Sequence, residues 1–290
     1  MHIHTRFSGA SSTPFLTNVC RESYSEPEAV YTTVRQRGMD LVTLTDHDSI
    51  EGAEQLRRRA DFFVSEELTC RMPSGTEVHI GVYDITERQH IQLQQRRNDL
   101  IALLMYLTES RLFFSVNHVF SCLTGKRHAD DFVWFRDYFP AMESRNGLML
   151  RGQNEDSQRL AQQWQKIEIG GSDAHALTSA ATAYTEVPGA RNKEEFFAGL
   201  RAGKGRVAGG SGNYLKLTRD VLLIGAAAMR EESWSVLLAP LALAIPVMTL
   251  LNYRGERKFG ELWAKRILGQ PQGKHSQWVR VPQRMAEEFV

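Results

Sequence analysis

Residues 39–48 read MDLVTLTDHD. A short run of apolar and β-branched side chains gives way to two acids and an imidazole. Such a run fits a strand buried on both faces, and Asp46, His47 and Asp48 mark where it ends. Just before it, residues 28–38 carry the signals of a helix, with Pro27 ahead of the first turn and Gly38 closing the last. Helix, buried strand and polar strand end form one unit of an alternating architecture.

Working outward, the same unit recurs. Strands are expected over residues 62–68, near Glu66 and Glu67, and over residues 77–84, where the side chains alternate. Residues 112–116 lead to Asn117-His118, residues 140–144 pass Glu143, and residues 167–170 lead to Ser172-Asp173-Ala174-His175. Between them lie helical patterns over 89–110, with Leu100, Leu103, Leu104 and Leu107 as the apolar stripe, then 154–165 and 193–202. Strand alternating with helix implies parallel strands with helices outside. In closed barrels of that kind the chemistry sits at the C-terminal strand ends. The expected fold is therefore α/β, a barrel over residues 1–212 followed by a helical, partly apolar extension over 213–290. Because the sequence opens on Met1-His2-Ile3-His4, the first strand is either very short or begins upstream.

Composition narrows the function. A net charge of +1, with 42% hydrophobic and 24% charged residues, is that of an ordinary globular protein. It argues against an extended nucleic-acid surface, while a few local arginines still suffice for a small phosphorylated ligand or a nucleotide. Three widely spaced cysteines, Cys20, Cys70 and Cys122, fit a reducing compartment. With no charged-then-apolar leader, the expected location is cytoplasmic. Residues 234–251 (WSVLLAPLALAIPVMTLL) lack charge and have basic residues beyond them. As one helix they would span roughly 27 Å, close to a bilayer core of ~30 Å. Membrane contact through Trp234 to Leu251 stands beside the alternative, a buried or partner-facing segment broken by Pro240 and Pro246.

The strand ends concentrate one chemistry. His2 and His4 are two apart and share a strand face, as do Asp173 and His175. His47 and His118 follow strands, and His79 lies within one; His90, His128 and His275 lie elsewhere. Imidazole and carboxylate are the ligands expected for manganese, zinc or iron, and a bridging carboxylate can hold two ions. Burying so many polar groups without a cation would leave donors and acceptors unsatisfied.

The ordered set His2-x-His4-Thr5, Thr45-Asp46-His47-Asp48, Glu67-Leu68-Thr69, His79, Asn117-His118 and Ser172-Asp173-Ala174-His175 resembles the PHP (polymerase and histidinol phosphatase) family over residues 1 to about 210. The resemblance implies a distorted (β/α)7 barrel that hydrolyses phosphoesters with two or three divalent ions. It implies that His2, His4, Glu67 and Asp173 hold one ion. Glu67, preferred over Glu66, would bridge to a second at His79 and His118, and His47 and His175 would serve a third. Asp46 would orient a ligand histidine. At Gly9 the sequence departs from the family, many members of which place an acid or histidine there for the third ion.

A metal-bridging hydroxide is then the expected nucleophile, with Asp173 or His175 protonating the leaving oxygen. Arg6, Arg145 and Asn146 are the expected phosphate-binding residues; Asn146-Gly147 is a turn signal and resembles the family's Glu-x-x-Asn-Gly stretch. The expected activity is a phosphomonoesterase or phosphodiesterase acting on a small metabolite, a nucleotide or an oligonucleotide end. Amide or other ester hydrolysis at the same metals is the alternative, as is a non-catalytic binding module whose metal site has partly decayed at Gly9.

Overall fold

Local signals set the helices of the computed structural model, which describes residues 1–8, 21–231 and 233–269. Helix α1 (Pro27–Gln36) starts on the proline that the first turn tolerates. Helix α2 is the single turn Glu51–Glu54. Helices α3 (Glu87–Arg96) and α4 (Leu100–Glu109) replace the one helix expected over 89–110. Asp99 causes the break: it is extended, and its carboxylate accepts the N–H groups of Ile101 and Ala102 as a cap for α4. Leu100, Leu103, Leu104 and Leu107 are all buried, each worth roughly 1.5–3 kcal/mol of burial. The remaining outer helices are α5 (Ala129–Tyr138), α6 (Arg151–Gln163) and α7 (Lys193–Arg201).

Six strands form one mixed sheet in chain order: β1 (Val42–Leu44), β2 (Phe62–Arg71), β3 (Glu77–Tyr83), β4 (Phe113–Val116), β5 (Ala141–Asn146) and β6 (Ile167–Gly171). Pairs β1/β2, β4/β5 and β5/β6 are parallel, whereas β3 runs antiparallel to both its neighbours. This corrects the all-parallel reading, and the reason is local. The chain turns from β2 to β3 over residues 72–76, with Met72 and Thr76 hydrogen-bonded across the turn and Gly75 at φ +84°. So short a link makes a hairpin; a parallel crossover needs a dozen or more residues. The last two strands, β7 (Ala183–Glu186) and β8 (Arg206–Gly209), pair separately as an antiparallel ribbon. The described residues thus form a mixed α/β fold, a six-stranded sheet with helices, which bears out the α/β class of the expected distorted (β/α)7 barrel.

Residues 1–4 stand between the two edges of this sheet at the C-terminal end of its parallel strands. Thr45 donates its N–H to Ile3 O at 2.9 Å from the β1 side; Asp173 donates to His2 O at 2.7 Å from the β6 side. Ile3 bridges Ala174, and His4 N–H reaches Ala174 O at 3.1 Å. The approach requires glycine at 171: a Cβ there would lie 2.2 Å from His2 Cβ.

The C-terminal residues pack onto this body. Helix α8 (Tyr214–Glu231) sets buried Asp220 against the hydroxyls of Thr178 and Ser179. A 3₁₀ stretch, Ser233–Ala244, leads into α9 (Ile245–Leu268). The single apolar helix expected over 234–251 is divided between these two: Pro240 lies inside the 3₁₀ stretch, and Pro246 sits in the first turn of α9, where proline is tolerated. Among the described residues no helix is long and apolar enough to cross a membrane. Helix α9 buries Thr249, Glu256, Gly260, Trp263 and Ala264, and Trp263 stacks on Phe132 with 5.5 Å between ring centroids.

Candidate metal centre

The sheet brings six histidines together with four acids, Glu22, Glu67, Glu143 and Asp173. Glu67, midway along β2 and fully buried, lies at the middle. Its Oε2 is 2.9 Å from His2 Nε2, 3.3 Å from His4 Nε2 and 3.5 Å from His47 Nε2. Its Oε1 is 3.3 Å from His118 Nε2 and 3.5 Å from His79 Nδ1, and accepts the Asn117 amide at 2.8 Å. Strand alternation sends Glu66 the other way. Asp173 Oδ1 lies 3.2 Å from His4 Nε2 and 3.4 Å from His2 Nε2. His118 and Asp173 have φ of 28° and 49°. Such left-handed backbone costs on the order of 1–3 kcal/mol per residue, a strain characteristic of functional sites.

Four sets of three ligand-type side chains have all their donor atoms within 4.8 Å of one another: His2/His4/Asp173, His2/Glu67/His118, His47/Glu67/His79 and His4/His47/His175. The donor set therefore fits divalent cations, with imidazole nitrogen and carboxylate oxygen in the proportion such ions take.

Two groups absent from the sequence-based site emerge. Glu22 places Oε2 3.5 Å from His47 Nε2 and 3.6 Å from His175 Nε2. Nothing in the sequence around Glu22 marks it for this position. Gly9, where the family pattern is broken, lies outside the described residues. Glu143, on β5, accepts from or shares a proton with His2 Nδ1 at 2.8 Å and accepts the His118 N–H at 3.1 Å. It thus orients His2 from behind, the role expected of Asp46; its position at a strand end was the available signal. Asp46 instead accepts the Thr5 N–H at 2.5 Å and hydroxyl at 2.7 Å, fixing the turn after His4.

The expected phosphate-binding residues are placed differently. Arg6 pairs with Glu26 and, at 2.8 Å, with Glu231 of α8, so its charge is directed away from the centre. Arg145 has its Nε buried without a hydrogen-bond partner, its Cβ lies beside Gly170, and among the described residues it forms no ion pair with the acids of the centre. Asn146 spends its amide on Glu143 at 2.9 Å and Asp173 at 3.0 Å, holding the ligand acid in place.

Electrostatics follow from burying these groups together. Burial alone would discharge them, but the acids and imidazoles face each other closely enough to reverse it. Desolvation works against a charge on His2, yet Asp173, Glu67 and Glu143 raise its pKa well above the ordinary imidazole value. His4 rises to about 9 against the same burial, through Asp173 and Glu67. Burial would raise Glu67 and Asp173; the surrounding imidazoles hold both well below the usual carboxylate range. Glu22 falls to about 2, the His175 and His47 rings outweighing burial. For His79, burial prevails and the pKa drops well below normal. On His2 and His4, whose pKa values are raised, a proton and a cation compete for the same nitrogen.

Residues 151–204 match the family model described as PHP-associated. This is the segment that contains Asp173 and His175, and it bears out the resemblance of the chain to the PHP family. No curated protein sequence matches the chain. Among solved structures it is similar to PsfC from Pseudomonas syringae PB-5123, at 13% identity over 79% of this chain and 96% of that one, with a TM-score of 0.52. It is also similar to the lesion-specific endonuclease PfuEndoQ from Pyrococcus furiosus, at 14% identity and a TM-score of 0.50, over 71% of this chain and 56% of that one. A protein from Bifidobacterium adolescentis, provisionally assigned as a metal-dependent phosphoesterase, aligns at 12% identity and a TM-score of 0.43 over 60% and 86% of the two chains. At these identities the first two likenesses speak for the fold alone.

Proposed function

We propose that the chain is a metal-dependent phosphoesterase. The observation that carries this reading is Glu67, whose two oxygens each face a separate set of imidazole nitrogens within 3.5 Å. His2, His4 and Asp173 would share Glu67 Oε2 around one ion; His79 and His118 would share Oε1 around a second. His47 and His175, with Glu22 in the place of an acid, would serve a third. When bound, divalent ions lower the pKa of water and neutralise charge on phosphoryl oxygens.

The protein's own groups would do the rest. Glu143 and Asn146 hold His2 and Asp173 in register, so the ligand set is preorganised. His175, partly buried, has its Nδ1 3.0 Å from the Asp173 carbonyl, which leaves Nε2 toward the site; where no third ion takes that nitrogen, His175 would be the side chain to give a proton to a leaving oxygen. With Arg6 held by Glu26 and Glu231, the negative phosphate would draw its counter-charge mainly from the ions, which favours a small phosphoester over a long polyanion.

The test is turnover of p-nitrophenyl phosphate, bis-p-nitrophenyl phosphate and a short oligonucleotide by protein loaded with manganese or zinc, beside a matched amide panel. Phosphoester turnover that disappears in His47→Ala and Asp173→Asn, both still folded, is the expected result. Turnover of amides alone would replace the proposal with amide hydrolysis, and fewer than one bound ion per chain would replace it with a binding role.

A further inference from the structure

Helix α9 turns Thr249, Glu256, Gly260 and Trp263 inward. At ~100° per residue, Val247, Leu251, Arg254, Lys258, Leu262 and Lys265 fall on the opposite face, and all six are exposed.

The N-terminal half of this stripe is apolar. Val247 and Leu251 stand with Met248 and, from the 3₁₀ stretch, Leu241 and Leu243, all between 59% and 87% exposed. Away from α8, the 3₁₀ stretch and α9, the described residues expose large apolar side chains only at Ile91, Leu123 and Leu177, on separate elements and each at 47% or less. The backbone beneath the patch is tied down. Tyr214 of α8 donates its hydroxyl to Pro246 O at 3.1 Å, and its ring meets Tyr253 with centroids 6.3 Å apart. Thr218 and Thr249 share a hydrogen bond at 2.8 Å. An apolar patch held out to solvent and bordered by polar groups marks an interaction surface.

The C-terminal half of the stripe is basic. Of the two acids of α9, Glu256 is buried and Glu261 is taken by Arg257 at 2.7 Å. Arg254, Lys258 and Lys265 form no ion pair among the described residues. Exposed aliphatic side chains beside uncompensated cations have the chemistry of a helix at a lipid interface. The apolar groups enter the acyl boundary while the cations meet anionic headgroups.

We propose that this stripe docks the protein on the surface of an anionic phospholipid membrane, with α9 along the headgroups and the five apolar side chains dipping below them. Charge favours lipid over a second copy of the chain. Paired along its length with a copy, the stripe would set its cations against apolar side chains or against other cations. A lipid surface supplies anions and an apolar layer together. The contact lies on the membrane, in keeping with the absence, among the described residues, of a helix long and apolar enough to cross one.

Co-sedimentation of the 290-residue chain with vesicles tests this, using phosphatidylcholine alone and phosphatidylcholine mixed with phosphatidylglycerol. Binding to the anionic vesicles should be tighter by about tenfold or more and should weaken as salt rises. Arg254→Gln/Lys258→Gln should remove about tenfold of that affinity. Val247→Ser/Leu251→Ser should abolish binding with Tm unchanged, because neither residue touches the buried face. No binding to anionic vesicles, equal binding to both kinds, or binding that either double variant leaves intact overturns the proposal. So does a dimer in light scattering that Val247→Ser/Leu251→Ser dissociates while the parent chain ignores vesicles. None of these readouts involves turnover or the metal centre, so docking stands or falls independently of the phosphoesterase reading.

Discussion

Glu66 and Glu67 are consecutive on β2, and their carboxylates serve opposite faces of the sheet. Glu67 sits among five imidazoles of the centre, whereas Glu66 accepts from His90 Nδ1 and from the Gln94 amide, both at 2.8 Å. The pair offers an internal control. Glu67→Gln should lower phosphoester turnover by roughly 100-fold or more and reduce bound metal measured by atomic emission. Glu66→Gln should keep its metal. The reverse pattern would show that the bridging carboxylate has been assigned to the wrong residue.

Glu143 meets the rear nitrogen of His2, the main chain of His118 and the amide of Asn146, and so acts by orientation. Glu143→Gln keeps the shape and loses the charge behind His2. Metal affinity should fall about 10–100-fold, the range for partners standing behind a ligand. Titration with a competing chelator measures it. If affinity is unchanged while Tm drops, Glu143 is a packing residue only.

Proton and metal compete for the same nitrogens, which gives stability a pH signature. His4 in the ion-free protein has its pKa raised from 6.5 to about 9 by Asp173 and Glu67 against burial. A raised histidine stabilises the fold below its unfolded pKa and ceases to as pH climbs through the folded one. Glu22, lowered from 4.5 to about 2, works in the opposite sense, stabilising above 4.5 and losing that contribution as pH falls toward 2. The ion-free protein should therefore lose Tm between pH 6.5 and 9, and the metal-loaded protein should lose less, releasing protons as it binds ions. Equal slopes with and without metal would separate the cations from these imidazoles.

Arg6 was one of two arginines the sequence offered for meeting phosphate, and its guanidinium is held by Glu26 and Glu231 instead. Arg6→Ala should leave KM for a phosphoester within twofold and, as a surface pair, shift stability by no more than ~1 kcal/mol. A tenfold rise in KM would return the arginine to the substrate.

What the sequence disclosed follows from the range of the forces involved. Buried strands such as Val42–Leu44 show as apolar runs, and histidines at their ends show because imidazole is rare there. Glu67 over Glu66 was legible from the residues that follow it. Strand direction was less so: it turned on Pro73-Ser74-Gly75, a turn signal within the link from β2 to β3 whose shortness reverses the chain. Glu22 and Arg6 were beyond reach, because a side chain on a connecting loop is aimed by tertiary contacts, here His47 and His175 for one and Glu231, 225 residues away, for the other. The ribbon of β7 and β8 was missed because its strands are only four residues each and partly exposed.

The C-terminal helices hold one of the ligand loops through a single acid. Glu256 of α9, only 7% exposed, accepts from Ser121 Oγ at 3.1 Å, Cys122 N at 3.2 Å and Gln153 Nε2 at 2.8 Å, and the Cys122 thiol meets it at 3.0 Å. Ser121 N–H in turn bonds the carbonyl of His118, whose φ is 28°. Removing the carboxylate leaves donors on the loop after β4 and on α6 without an acceptor, at about 1–3 kcal/mol for each buried one left unsatisfied. Glu256→Ala should thus lower Tm by several degrees and hasten alkylation of Cys122, whose thiol pKa is now pushed up to about 12 by burial and by Glu256. Glu256→Gln, which keeps an acceptor oxygen, should recover most of the Tm. Because His118 stands one turn away, metal affinity should fall in Glu256→Ala and return in Glu256→Gln. Alkylation and metal affinity that both ignore the alanine variant would show that α9 covers this loop without holding it.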